Sequence, residues 1–381
     1  MVFDTETQLL QRRGHDVVAF LRHSDALRAK GVFGALQGAL FTPWNPWSAV
    51  AIQREVARCK PEVVHVHNTF PLLSPAIFRS IGRGAARVLT LHNYRLFCPA
   101  AIPMRDGVAC TECLDRKSSW PALRHGCYRG NRLATAPLAF SVWLHRRIGT
   151  WTRHVDAFIV LTEFQKKVVT EAGLPGDRVY VKPNFYPMNP QPRLWQHRGN
   201  YVVFAGRLSR EKGVEDLVRA WLRWGETAPE LRIVGDGPLR ESLQELASGS
   251  AAGRIRFFGQ LPSADAEQHI AEARLLVLPS VCFEGFGLVI IEAFAHGTAV
   301  AVSNIGPLPS IVRDGGNGVV FQPRDAESLV LKVRAAWETP GLLEKLGEGA
   351  RAEFAAFYNA DANYDMLMDI YARASARRGH E

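Results

Sequence analysis

Residues 279–293 read PSVCFEGFGLVIIEA. The apolar run Leu275-Leu276-Val277-Leu278 leads into them and predicts a buried parallel strand. Pro279-Ser280 stops that strand, and Glu284, Gly285, Phe286 and Gly287 form a loop. Leu288 to Ala295 then predicts a mostly apolar helix. A strand, a glycine-bearing loop and a helix N-terminus leave backbone N–H groups directed beyond the strand end. Two carboxylates, Glu284 and Glu292, flank the crevice. Such a pair suits general acid/base work, and it equally suits acceptance of hydrogen bonds from a polyol ligand.

The pattern repeats around this stretch. Residues 201–205 (YVVFA) predict a strand, residues 206–213 (GRLSREKG) a turn, and a helix runs on from Val214. Arg207 and Lys212 bracket the turn, a good setting for a diphosphate because the helix N-terminus adds partial positive charge. The competing reading is surface cations paired with Glu211 or Asp216. Residues 231–234 meet Gly235-Asp236-Gly237-Pro238, with Pro238 placed as a first helical residue. Further strands are expected at 255–259, 299–303 and 319–321, and a helix at 264–273. Alternating strand and helix predicts a doubly wound parallel sheet.

The first half carries similar signals. Residues 49–60 predict an amphipathic helix broken by Pro61. Strands are expected at 63–67, 87–91, 156–161 and 179–181. Thr162-Glu163 cap the next helix. Ligands of open α/β sheets bind beyond the carboxyl ends of strands, where His67 and His92 lie; His92 is the preferred candidate. At the start, residues 5–14 predict a helix ended by Gly14 and residues 16–20 a strand. A nucleotide-fold domain opens with a strand and a Gly-rich turn before such a helix, so the expectation is an N-terminal truncation. Residues 133–144 (LATAPLAFSVWL), ahead of His145-Arg146-Arg147, suit an amphipathic membrane-contact helix, with a sheet-packing helix as the plainer alternative.

Cys98, Cys110, Cys113 and Cys127 follow the spacing C-x11-C-x2-C-x13-C. The central C-x2-C suits a tetrahedral metal, and four thiolates complete a structural zinc shell. An iron–sulfur cluster and unligated thiols are the alternatives, with His125 a substitute ligand. Cys59 and Cys282 are expected only to pack.

The chain has 381 residues, 47% hydrophobic and 22% charged, which predicts a globular protein long enough for two domains. No signal pattern or 18-residue apolar run occurs, which points to the cytoplasm. The formal charge of +9 is concentrated in the first half, which suits phosphates or an anionic membrane surface. No nucleic-acid motif accompanies it, so no nucleic-acid partner is expected. Three prolines in residues 186–199, Pro187, Pro190 and Pro192, mark a linker.

GRLSREKG, VGDGPL, FEGFGLVIIEA and SNIGPLPSIV with NGVVF together resemble family 4 glycosyltransferases of the GT-B fold. RRGHDV, HVHN, LHNYRLFCP and CYRG resemble a bacterial subgroup that builds polysaccharides. The resemblance implies an α/β chain of two Rossmann-like doubly wound domains facing across a cleft, the first lacking its N-terminal strand. Residues 1–185 would bind the acceptor, with the four-Cys insertion at 98–127. Residues 200–360 would bind the nucleotide sugar, and residues 361–381 would form a helix packing back towards the first domain.

The resemblance further implies that Arg207 and Lys212 hold the diphosphate and that Glu292 accepts the ribose hydroxyls. Glu284, with the backbone of Gly285, Phe286 and Gly287, would hold the transferred sugar, and Gly206 and Gly237 join the donor-binding set. His92 would lie near the reacting carbon on the acceptor side. Ser310 stands where the family has a Glu, and Ala299 where it often has a Pro. The expected activity is retaining transfer from a UDP- or GDP-sugar to a saccharide or a polyprenyl-diphosphate-linked acceptor, at the inner face of the plasma membrane. No D-x-D occurs, so no metal cofactor for transfer is expected. The alternatives are a nucleotide-sugar epimerase and a weakly active sugar-nucleotide-binding protein.

Overall fold

A computed structural model of the protein describes residues 2–22, 31–248 and 252–379. The chain forms two compact units. One comprises residues 1–105, 110–183 and 364–381, and the other residues 106–109 and 184–363.

The first unit is built on four parallel strands, β1 (Val63–Val66), β2 (Ala86–Thr90), β3 (Ala157–Val160) and β4 (Val179–Val181), hydrogen-bonded in that order. β2 and β3 are buried along their whole length, β3 as its continuous apolar run requires and β2 with Arg87 paired inside it. Ala86, Val88, Ala157 and Ile159 pack against Leu367, Ile370 and Ala374 of the helix Ala360–Gly379. Arg87 and Asp156 form a buried bidentate pair at the entry to β2 and β3, at 2.8 and 3.0 Å. The Thr162 hydroxyl caps the helix Glu163–Glu171, accepting from Gln165 N at 3.1 Å.

The strand expected at residues 16–20 is not formed. The segment joins no sheet among the described residues, and β1 is an edge strand. A cavity of about 1320 Å³ lies beside it, lined by Val17, Val18, Phe20, Val64 and His65 among others. Apolar β-branched composition states a preference for burial, whereas a strand needs a partner to pair with.

The second unit contains β5 (Tyr201–Ala205), β6 (Glu230–Val234), β7 (Ile255–Gly259), β8 (Leu275–Leu278), β9 (Ala299–Ser303) and β10 (Gly318–Phe321). They pair in parallel in the order β10-β9-β8-β5-β6-β7. The strand order therefore reverses between β5 and β8, which is where open α/β sheets bind ligands. Val202, Phe204, Leu275 and Val277 pack against Leu217, Val218 and Trp221 of the helix Val214–Trp224. Trp221 is fully buried, and its indole N–H donates to Pro229 O at 2.8 Å, so the polar edge of that large ring is satisfied.

Candidate functional site

The reversal point brings two loops together. After β5, Gly206-Arg207-Leu208-Ser209 leads into a short 3₁₀ turn, Arg210–Lys212, and then the helix Val214–Trp224. After β8, residues 279–287 lead into the helix Leu288–Ala295, with Gly287 at φ 88° as its N-cap. Glycine is required at the join. Gly213 has φ 64°, and a Cβ there would lie 1.9 Å from Pro279 O. Val281 N donates to Glu211 O at 3.0 Å, stitching the same two loops. Gly235, at φ 132°, similarly lets the turn after β6 lie against Gly206, where a Cβ would meet its carbonyl oxygen at 1.9 Å. Leu208 N donates to Asp236 O at 2.9 Å and Leu239 N to Leu208 O at 3.0 Å, so the GRLS and GDGP turns form one surface carrying Gly206 and Gly237.

Lys212 and Glu284, one from each loop, form an ion pair at 2.7 Å. The Ser280 hydroxyl donates to the same Glu284 oxygen, and the Ser303 hydroxyl donates to Ser280 O. The Ser209 hydroxyl donates to Glu211 at 2.6 Å, so Glu211 serves the turn and leaves Lys212 to Glu284. Arg207, five residues before Lys212 in the same turn, is exposed. Gly285 is half-buried and Phe286 is buried against Tyr358, ring centroids 5.9 Å apart, which anchors the loop between Glu284 and Gly287.

Glu292 lies on the helix Leu288–Ala295 and is half-buried. Burial, followed by the neighbouring Glu267, raises its pKa above the ordinary carboxylate value. Glu267 is itself engaged by His296 Nε2 at 2.9 Å and by the Tyr186 hydroxyl. Glu292 is thus a carboxylate held in a partly dry position with no cation paired to it among the described residues. Ser280, Glu267 and Tyr186 escaped the sequence reading, since nothing in their local sequence marks a polar contact made only by tertiary packing.

In the first unit, His92 follows β2 and His67 follows β1. His67 Nδ1 and His92 Nε2 are 3.0 Å apart. Burial, and then the charge of His67, lower the His92 pKa to about 3, so the ring is neutral at physiological pH. Both histidines line a small cavity of about 60 Å³ together with Asn93 and Arg95. Arg95 stacks over Phe70 at 4.2 Å and donates to Pro99 O at 2.9 Å.

All four cysteines of the insertion are free thiols. Cys98 and Cys113 are buried, and burial with the neighbouring thiols pushes their pKa values up to about 11 and about 12. Three of these sulfurs do not come within 4.8 Å of one another; among the described residues Glu6, His65 and His67 do so. No helix among the described residues is long and apolar enough to cross a membrane.

Two family models match the chain. "Glycosyl transferases group 1" matches residues 187–353 and "Glycosyltransferase Family 4" residues 2–189. The chain is 32% identical over 229 residues to an exopolysaccharide phosphotransferase of Streptomyces coelicolor, covering 59% of this chain and 24% of that protein. It is 26% identical over 315 residues to the sulfoquinovosyl transferase SQD2 of Arabidopsis thaliana, covering 78% of this chain and 54% of the relative. The chain thus spans from about a quarter to about half the length of these two relatives. Among solved structures, sucrose-phosphate synthase from Thermosynechococcus elongatus superposes with a TM-score of 0.66 at 20% identity, over 87% of this chain and 78% of that one. HepE of Anabaena, solved with UDP, superposes with a TM-score of 0.63 at 15% identity, over 85% and 81%. These neighbours share the GT-B fold of two Rossmann-like domains.

Proposed function

Because this chain belongs to the family 4 glycosyltransferases, we propose that it transfers a sugar from a nucleotide-diphosphate sugar to a saccharide or lipid-linked acceptor, with retention of anomeric configuration, in surface polysaccharide synthesis. The observation that carries this reading is the Lys212–Glu284 pair, with Arg207 in the turn of Lys212, at the reversal point of the second sheet. The binding of UDP by HepE supports a nucleotide donor, and the name of the Streptomyces relative supports an exopolysaccharide setting.

On this reading the diphosphate takes Arg207 and Lys212. Lys212 then exchanges a carboxylate partner for a phosphate one, and Glu284 turns to the hydroxyls of the sugar. Charge-assisted hydrogen bonds of this kind are worth about 1.5–3 kcal/mol each, so the exchange retains most of what the ligand-free pair gives up. As the glycosidic bond breaks, negative charge grows on the leaving phosphate. Lys212, Arg207 and the helix N-termini stabilise it by preorganised electrostatics. Glu292 takes the ribose hydroxyls and Glu284 the hydroxyls of the sugar, which leaves no second carboxylate to flank the anomeric carbon for a double displacement. The acceptor hydroxyl therefore attacks on the face the diphosphate leaves, and a leaving-phosphate oxygen takes its proton. His92, neutral and held by His67 through Nε2, presents its other ring nitrogen, Nδ1, on the acceptor side.

Calorimetric titration with UDP- and GDP-sugars tests the donor site. Binding of at least one, with product of retained anomeric configuration by NMR, is expected; no binding by any of them defeats the assignment.

We further propose that the first unit meets an anionic membrane surface. The helix Gly31–Phe41 packs beside the helix Arg132–Arg147. Phe33 is 81% exposed, Trp47 67%, Leu133 85% and Trp143 53%. Apolar and aromatic groups with the exposed Arg132 and Arg147 on the same helix match an anionic bilayer, which takes the rings at the headgroup level and the arginines at phosphate. Co-sedimentation with vesicles containing anionic lipid is expected, weakened by Trp143→Ser and by high salt. Equal sedimentation with neutral vesicles, unchanged in that variant, would remove the membrane from the proposal. The C-x11-C-x2-C-x13-C spacing is what supports a structural zinc in the insertion, and a bound ion would have to draw three of the thiols inside 4.8 Å. Metal analysis of reduced protein, with and without Cys113→Ser, tests that separately.

A further inference from the structure

Glu6, from the helix Val2–Arg12, is 3% exposed, and its surroundings are unusual for a carboxylate. Oε2 is held by the buried Lys182 ammonium at 2.8 Å. Oε1 has no hydrogen-bond partner. Two ring nitrogens nevertheless lie beside it, His65 Nδ1 at 3.1 Å and His67 Nε2 at 3.3 Å, off the line a hydrogen bond would need.

The opposite nitrogens of both rings are engaged. His65 Nε2 is 2.7 Å from the Thr90 hydroxyl, and His67 Nδ1 is 3.0 Å from His92 Nε2. With protons on those outer nitrogens, the inner ones present lone pairs. In that tautomer three acceptor atoms, Glu6 Oε1, His65 Nδ1 and His67 Nε2, face one another within 4.8 Å, with only the Tyr371 hydroxyl, 2.9 Å from His65 Nδ1, able to donate among them, an arrangement that a cation would relieve. Outer hydrogen bonds of this kind are how proteins fix the tautomer of a metal-ligating histidine. The spacing agrees, because a tetrahedral zinc with bonds of about 2.0–2.1 Å sets its ligand atoms about 3.3 Å apart.

We propose that Glu6, His65 and His67 form a divalent-metal site of the two-histidine, one-carboxylate type, taking zinc or a similar borderline ion. The other groups facing the point are Lys182, occupied by the second Glu6 oxygen, and the Tyr371 hydroxyl, 2.9 Å from His65 Nδ1. An ion at this point would take the His65 Nδ1 lone pair from the Tyr371 hydroxyl. Glu6, His65 and His67 also line the cavity of about 1320 Å³ beside β1, which gives an ion a way in. The ion would fix His67, and through it the orientation of His92, making His67 a positioning residue.

The test is metal uptake by the intact chain in a chelator-free phosphine-reduced buffer, with Zn²⁺ for stoichiometry and Co²⁺ for spectroscopy. His65→Ala and His67→Ala should each lose about one equivalent of zinc relative to the unsubstituted chain, and Cys113→Ser should retain that equivalent. The cobalt form of the unsubstituted chain should show visible d–d bands that persist when the cysteines are alkylated, a readout that needs no variant to fold. Absence of metal uptake, uptake unaffected by either histidine substitution in a folded variant, or a cobalt spectrum abolished by alkylation would each overturn the site.

Discussion

Glu292 is a single carboxylate whose environment sets its chemistry. Burial and Glu267 raise its pKa, so it loses its charge on mild acidification sooner than a solvated glutamate does. Only the ionised form accepts hydrogen bonds through both oxygens. Donor affinity should therefore be full above the raised pKa and fall as pH drops through it. Glu292→Gln should weaken donor binding about 10-fold or more, consistent with loss of a charge-assisted hydrogen bond, and flatten the pH dependence while turnover at saturating donor persists. Calorimetry across pH checks this; abolished turnover with unchanged affinity would refute the ribose role. Arg207, Lys212, Glu284 and Glu292 are visible in the sequence because each lies in a loop, or in the helix just after it, that follows an apolar strand. Glu6 and His65 are not. A glutamate in TETQLL looks like one on a solvated helix face, and its burial depends on Lys182, 176 residues away.

At the level of elements, the two loops of the donor site depend on backbone approach more than on side chains. Gly213 carries both a positive φ and a Cβ vector aimed at Pro279 O. Gly213→Ala must strain the backbone or part the loops, at a cost of about 1–3 kcal/mol. The denaturation midpoint should fall, and donor affinity should fall with it, because Lys212 and Glu284 sit on the two loops being parted. Loss of stability with donor affinity intact would show that the loops need not touch. The alternating apolar runs made the second unit legible from its sequence, since fully buried parallel strands and glycine turns are local signals. The segment 16–20 has the same composition and forms no strand, because pairing is decided by a neighbour that local composition does not report.

For the whole molecule, acid sensitivity follows from a buried neutral histidine. His145 is fully buried, with Nε2 donating to Pro43 O at 2.7 Å and Nδ1 accepting from the Thr150 hydroxyl at 2.8 Å. Both nitrogens are committed in the neutral form, and burial lowers the pKa to about 4. The unfolded ring takes a proton near its ordinary value of about 6.5, so the unfolded state binds more protons between these values. The contribution is fully present above pH 6.5, is lost as pH falls to about 4, and is level below that. It amounts to about 3 kcal/mol. Urea unfolding should show a midpoint that drops across this window, and less so in His145→Asn; a midpoint independent of pH would contradict it.

The Lys212–Glu284 ion pair also bears on how a catalytic cycle ends. Without ligand, each charge neutralises the other. On the proposed reading a nucleoside diphosphate alone would capture the ammonium and strand the carboxylate, whereas an intact donor would compensate both. The two moieties of the donor would therefore bind with positive coupling. On the same reading, once the sugar has departed Glu284 would compete with the spent diphosphate for Lys212, so that the site would carry its own displacing group for product release.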